Sequence, residues 1–126
     1  MQTIPQPELA RSKARQYSRV RISIPFSCAL SSRITRGWFR KPVHDVGLVY
    51  DLSPHGACVS TDAAIKPGDQ VSLLLRLTKS TPPVEVAVAT VCWTNYQFHG
   101  LSFRALPPAS LKQLTEYIHA YNTSQE

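Results

Sequence analysis

From Val20 onward, hydrophobic and polar residues alternate with the two-residue period of a strand that buries one face. In VRISIPFSCAL, Val20, Ile22, Ile24, Phe26, Cys28 and Leu30 fall on one side, and Arg21, Ser23, Pro25, Ser27 and Ala29 on the other. Pro25 lacks the N–H that a ladder requires, so this strand is expected to lie at an edge or to carry a bulge there. Five further strand-like runs follow: VHDVGLVYDL, GACVSTDA, QVSLLLRLT after the turn Lys66-Pro67-Gly68-Asp69, VEVAVATVCW after Pro82-Pro83, and FHGLSFRAL. Six strands with short connections and no intervening helix point to an antiparallel β-barrel or sandwich, not to a parallel sheet. After Pro107-Pro108 the period changes. Leu111, Leu114, Ile118 and Tyr121 recur at helical spacing, which predicts a C-terminal α-helix over about 108–121 that lays this stripe across the barrel. Prolines at its first turn are tolerated, because those N–H groups lack intrahelical partners in any case.

The chain has 126 residues, 43% of them hydrophobic, which suffices for one core and is too little for two ordinary domains. Residues 1–14 hold Pro5 and Pro7 among polar residues without periodicity and are expected to form a flexible tail. The barrel is expected over about 20–105, the helix over about 108–121, and a short tail over 122–126. No window approaches the run of about 18 apolar residues that marks a membrane span. The N-terminal MQTIPQPELARSK has no apolar centre of the kind a secretory signal needs. A cytoplasmic protein without a transmembrane segment is therefore expected. Cys28, Cys58 and Cys92 lie in strand-like segments at spacings that suit neither a disulfide framework nor a zinc site. All three are expected as small apolar core residues.

Charge changes this picture, because the net +6 is concentrated at one end. Residues 1–41 contain nine Lys or Arg against the single acid Glu8, whereas residues 42–126 contain five basic residues against seven acids. Such asymmetry points to an anionic partner: nucleic acid, a membrane surface or a small phosphorylated ligand. Part of the excess lies in SSRITRGWFRKP, where Trp38 and Phe39 stand among Arg33, Arg36, Arg40 and Lys41. This segment reads as a long hairpin tip that is a candidate for touching a partner or a membrane.

Catalytic chemistry has little support. His44, His55, His99 and His119 stand in separate segments without metal-ligand spacing, and no phosphate-cradling glycine loop or nucleophile elbow occurs among the five glycines. Ser53 and His55 share one tight connection, which would rarely aim both side chains at one reacting atom. No catalytic residue and no metal site is expected, and the chain does not read as an enzyme.

A binding constellation remains. Arg-x-x-x-Arg occurs three times, as Arg11 with Arg15, Arg15 with Arg19 and Arg36 with Arg40, and only the Arg15 and Arg19 pair directly precedes a barrel strand. Between the second and third strand-like runs lies DLSPHG, in which Asp51, Ser53 and Gly56 form an Asp-x-Ser-x-x-Gly. By itself this is also a good turn sequence, with Asp51 and Ser53 as turn formers and Gly56 as a turn or bulge glycine.

With the arginine pair in RQYSRVRISIP, DLSPHGACVS, and the closing VCWTNYQFHGLSF with its helix, the sequence resembles the PilZ domain family over about residues 11–121. Members of that family are bacterial receptors for the second messenger cyclic di-GMP. The resemblance implies a six-stranded antiparallel β-barrel with a C-terminal helix, a signalling function without a cofactor, and ligand binding by Arg15, Arg19, Asp51, Ser53 and Gly56. The residue types suit that ligand. Arginine can fork onto phosphate oxygens, bond guanine O6 and N7, or stack on a purine. An aspartate can accept from guanine N1–H and N2–H together, which adenine cannot reciprocate. Ser53 can contact the ligand or brace the turn, and Gly56 offers either a positive φ or a close backbone approach. The expected mechanism is ligand-driven ordering of the Arg-rich lead-in, which then presents a new surface to an unidentified protein effector.

Two other readings stand beside this one. A small basic OB-like barrel would bind single-stranded nucleic acid, but that calls for aromatic and basic residues spread over one sheet face, and none is expected here. A protein-interaction module would tolerate loss of Arg15 without losing any ligand. Trp93 and Tyr96 are expected as packing aromatics, with Trp93 pointing opposite to Cys92.

Overall fold

The computed structural model describes residues 19–32 and 44–125. Six strands follow one another: β1 (Val20–Ser32), β2 (His44–Ser53), β3 (Gly56–Thr61), β4 (Gln70–Leu75), β5 (Val84–Asn95) and β6 (Phe98–Ala105), and then the helix α1 (Pro108–Gln125). They close into a barrel in the order β1-β2-β3-β6-β5-β4, and every neighbouring pair is antiparallel. Closure leaves no edge, which is how a barrel of short strands satisfies all its ladder groups. The sandwich alternative is thereby set aside.

The core is built from the inward half of each alternation. Leu30, Val49, Leu52, Val59, Val71, Leu73, Leu75, Val86 and Val91 are all at most 2% exposed and fill the interior. One end is capped by α1, whose Leu114 and Ile118 are buried against it. Leu111 stays 43% exposed, so the apolar stripe that docks the helix is narrower than its spacing implies. The helix is held further by an edge-to-face contact between Tyr117 and Phe26, with ring centroids 6.1 Å apart. Among the described residues no helix is long and apolar enough to cross a membrane.

The two-residue alternation breaks at defined places. Pairing of β1 with β2 shifts between Arg21 and Phe26, around Pro25, so the expected irregularity is a bulge and not an edge position. The bulge expels Ile24, which is 84% exposed although its spacing puts it on the core face. Ser23 in the same stretch donates its N–H to the Tyr121 hydroxyl at 2.8 Å, and the two hydroxyls lie 2.6 Å apart. A second shift lies between Val91 and Trp93. Cys92 is the extra residue there and is exposed, which corrects its expected place in the core; Cys28 and Cys58 are buried. Burial pushes the Cys28 thiol up to about 12, partly offset by a hydrogen bond with the Gly47 backbone.

Candidate functional site

The third break in alternation builds the site. Val49 and Leu52 are both fully buried although they are three residues apart, which is possible because pairing of β2 with β3 shifts between Val49 and Asp51. Without that shift Asp51 would share the inward face of Val49, where an ionised carboxylate is costly. Tyr50, the residue at the shift, packs edge-on against Phe98 with centroids 5.3 Å apart. The bulge thus turns Asp51 outward, half-buried, onto the outer wall of the barrel.

Two residues later the chain reverses. Ser53 pairs with Gly56, which closes a two-residue turn at Pro54 and His55. Among the described residues only Tyr96 and Gly68 have positive φ, so this turn is made with ordinary backbone angles, for which proline at its first corner is already set. Ser53 Oγ accepts from the His55 N–H at 3.2 Å and lies 3.5 Å from the Gly56 carbonyl oxygen, the position of a turn brace. The His55 carbonyl accepts from the Phe103 N–H at 2.8 Å and ties the turn to β6. Of the two reasons offered for Gly56, close approach is the one realised: a Cβ there would run into the Leu101 carbonyl oxygen.

Register then assembles a face. Arg21 pairs with Asp51, Asp51 with Cys58, Cys58 with Gly100, and Gly100 with Trp93, a single row across five strands. A second row runs from Ser53 through Gly56, Ser102 and Thr90 to Gln70. All these residues point outward, since their neighbours Leu52, Ala57, Leu101 and Val91 point into the core. Cys58 is buried yet lies outside the core cluster, as a floor for this outer face. Its thiol pKa is raised, first by burial and then by the Asp51 carboxylate, while the Arg19 guanidinium pulls it down. Asp51 and Arg19 therefore act on the same small region. Among the described residues no donor is bonded to the Asp51 carboxylate, and its acceptor sites face outward.

Arg19, exposed at the entry to β1, Asp51, Ser53 and Gly56 are thus brought together, whereas Arg15 and the Trp38 hairpin tip lie outside the described residues. Trp93, set aside from sequence as a packing aromatic, ends the first row. Its indole covers Gly100 so closely that a Cβ on Gly100 would overlap the ring, and the side chain remains 44% exposed. No sequence pattern marked it, since both the strand irregularity beside it and its pairing with Gly100 appear only in the register. Among the described residues no cluster of His, Cys, Asp or Glu is suited to a metal ion.

The sequence profile of the PilZ domain matches residues 13–120. Among curated proteins, none matches the sequence. Among solved structures, the Bacillus subtilis inhibitor of motility (MotI/DgrA) is similar, with a TM-score of 0.65 at 17% sequence identity over 89% of this chain. This chain spans about half of that protein, 52% of its length, and at this identity the likeness bears on the fold.

Proposed function

The chain belongs to the PilZ domain family, whose members are binding and effector modules for cyclic di-GMP, and from this premise we propose that it is a cytosolic cyclic di-GMP receptor whose ligand lies on the outer face around Asp51. The observation that carries this reading is the bulge at Tyr50, which spends a ladder register to turn an acid outward beside Arg19. An outward carboxylate without a donor among the described residues suits the N1–H and N2–H edge of a guanine. Arg19 supplies a fork for phosphate or for guanine O6 and N7, and Arg15, four residues earlier in the chain, is assigned the same task. Gly56 lets β3 and β6 approach under the base, and Ser53 holds the turn in shape. The Trp93 indole, with one face on Gly100, offers its other face as a stacking surface at the end of the row.

Signalling follows from where the arginines sit. Residues 11–20 lead into β1, and a ligand clamped between that lead-in and the barrel wall fixes the lead-in against the wall. The complex then carries a surface that the free chain lacks, to which a protein effector binds. Calorimetric titration with cyclic di-GMP tests the reading. Saturable binding by the native protein is expected, weakened at least tenfold by each of Arg15→Ala, Arg19→Ala and Asp51→Ala. Tryptic cleavage within residues 11–20 should slow at saturating ligand. Absence of binding by the native protein would refute the assignment.

A further inference from the structure

The outer wall continues beyond the residues discussed so far. On β6, Leu101 and Phe103 are buried, so Gly100 and Ser102 alternate outward, and Arg104, exposed, is the extra residue where the pairing with β5 shifts between the pairs Ala89 with Phe103 and Val88 with Ala105. Gly100 and Ser102 already belong to the two rows of the site, as partners of Cys58 and Gly56. Arg104 lies two residues beyond Ser102 on the same strand, at that shift. It emerges beside the Pro54-His55 turn, because the residue before it, Phe103, donates its N–H to the His55 carbonyl at 2.8 Å.

The side chain of Arg104 does not simply trail into solvent. Its Nε donates to Thr90 Oγ1 at 3.3 Å, and Thr90 is the residue paired with Ser102 in the second row. The guanidinium is therefore drawn back over the row. Nε uses one of its five N–H donors, and four remain on the two Nη nitrogens. Among the described residues no carboxylate pairs with it. A cation steered by a neutral hydroxyl, beside a row that has no acid while the other row has Asp51 alone, is arranged for an anion that comes from outside.

Resting on the receptor reading above, we propose that Arg104 is a third arginine of the ligand face, that it binds a phosphodiester of the cyclic dinucleotide, and that Thr90 is the positioning residue that holds it there. Arg19 and Arg104 then flank the Ser53–Gly56–Ser102 row from its two ends, one at the mouth of β1 and one at the end of β6. A ligand with two separate phosphates is matched by cations at two separate places. Lysine at position 104 would keep the charge but lose both the Nε bond to Thr90 and the fork.

The test is equilibrium binding of cyclic di-GMP to the native chain and to Arg104→Ala, Arg104→Lys, Thr90→Val, Thr90→Ser and Lys79→Ala. Lys79 is an exposed cation of the β4–β5 connection, away from both rows, and controls for net charge. Arg104→Ala should weaken binding about tenfold, and Arg104→Lys by less. Thr90→Val should weaken it a few-fold and Thr90→Ser restore it, an outcome that a purely structural threonine would not give. Native binding that Arg104→Ala changes by less than twofold, or that Lys79→Ala weakens as much, would overturn the inference and leave the receptor reading intact. No binding by the native chain would refute the receptor reading, and this inference with it.

Discussion

Replacing Gly56 by alanine sets a methyl group against the Leu101 carbonyl oxygen, a backbone atom that cannot rotate away. Leu101 is fixed on both sides, since it pairs with Ala57 on β3 and with Val91 on β5. Relief therefore requires that the end of the β3–β6 ladder open. The bond most directly exposed to that opening is Phe103 N–H to the His55 carbonyl, at 2.8 Å. One or two such bonds, at about 1 kcal/mol each, together with the strain of overpacking, give an expected loss of about 1–3 kcal/mol. With the urea dependence usual for a small domain, the unfolding midpoint should fall by about 0.5–2 M at unchanged slope. Gly100→Ala provides the contrast, because its methyl group meets the Trp93 indole, which is 44% exposed and able to swing outward. That variant should lose less stability and show altered tryptophan emission. A Gly56→Ala protein within about 0.5 kcal/mol of the native stability would refute the close-approach explanation.

Three other outcomes are expected. His99 is buried, and burial lowers its pKa from 6.5 against a partial offset from the Thr61 backbone; the unfolded chain then takes up a proton before the native one, so stability is constant above about pH 6.5 and falls as the pH drops below it toward the folded pKa. Urea melts at several pH values should show that fall, and His99→Gln should flatten it. Tyr121→Phe removes the acceptor of the Ser23 N–H and should cost about 0.5–1.5 kcal/mol, with faster amide exchange at Ser23 as the direct readout. In the native protein a thiol reagent should modify Cys92 promptly and leave Cys28 and Cys58, both buried and both with raised pKa, to react on unfolding; two prompt thiols per chain would contradict the placement of Cys58.

The strands and the helix were legible because burial writes a period into the sequence, but the barrel order was not: hairpins join β1-β2-β3 and β4-β5-β6, whereas the pairs β3–β6 and β1–β4 that close the barrel join strands distant in the chain. What alternation cannot report is the extra residue that resets it. Ile24 lies within such a shift, Cys92 is such a residue and Asp51 sits beside one, and for the first two a strict two-residue count puts the side chain on the wrong side. For Asp51 the reset is the point of the arrangement, since an acid two residues from buried Val49 reaches the outer wall only through it. Pro25 announced its own bulge, because a missing N–H is visible in the sequence. The motif residues Asp51, Ser53 and Gly56 were readable by type and spacing, but which of two reasons applied to Gly56 depended on how close β6 comes, a long-range contact that no local pattern encodes. Trp93 and Arg104 escaped for another reason: each lies at a register shift between the neighbouring strands β5 and β6, which alternation cannot report.

The central claim is a ligand and a place, and amide chemical-shift mapping of the labelled protein during titration with cyclic di-GMP tests both at once. Saturable changes are expected at Arg19, across Asp51–Gly56, at Gly100 and at the Trp93 indole N–H, with the opposite wall around Val46, Ala29 and Leu74 unmoved. A spectrum unchanged by the nucleotide, or changes confined to that opposite wall, would contradict the assignment.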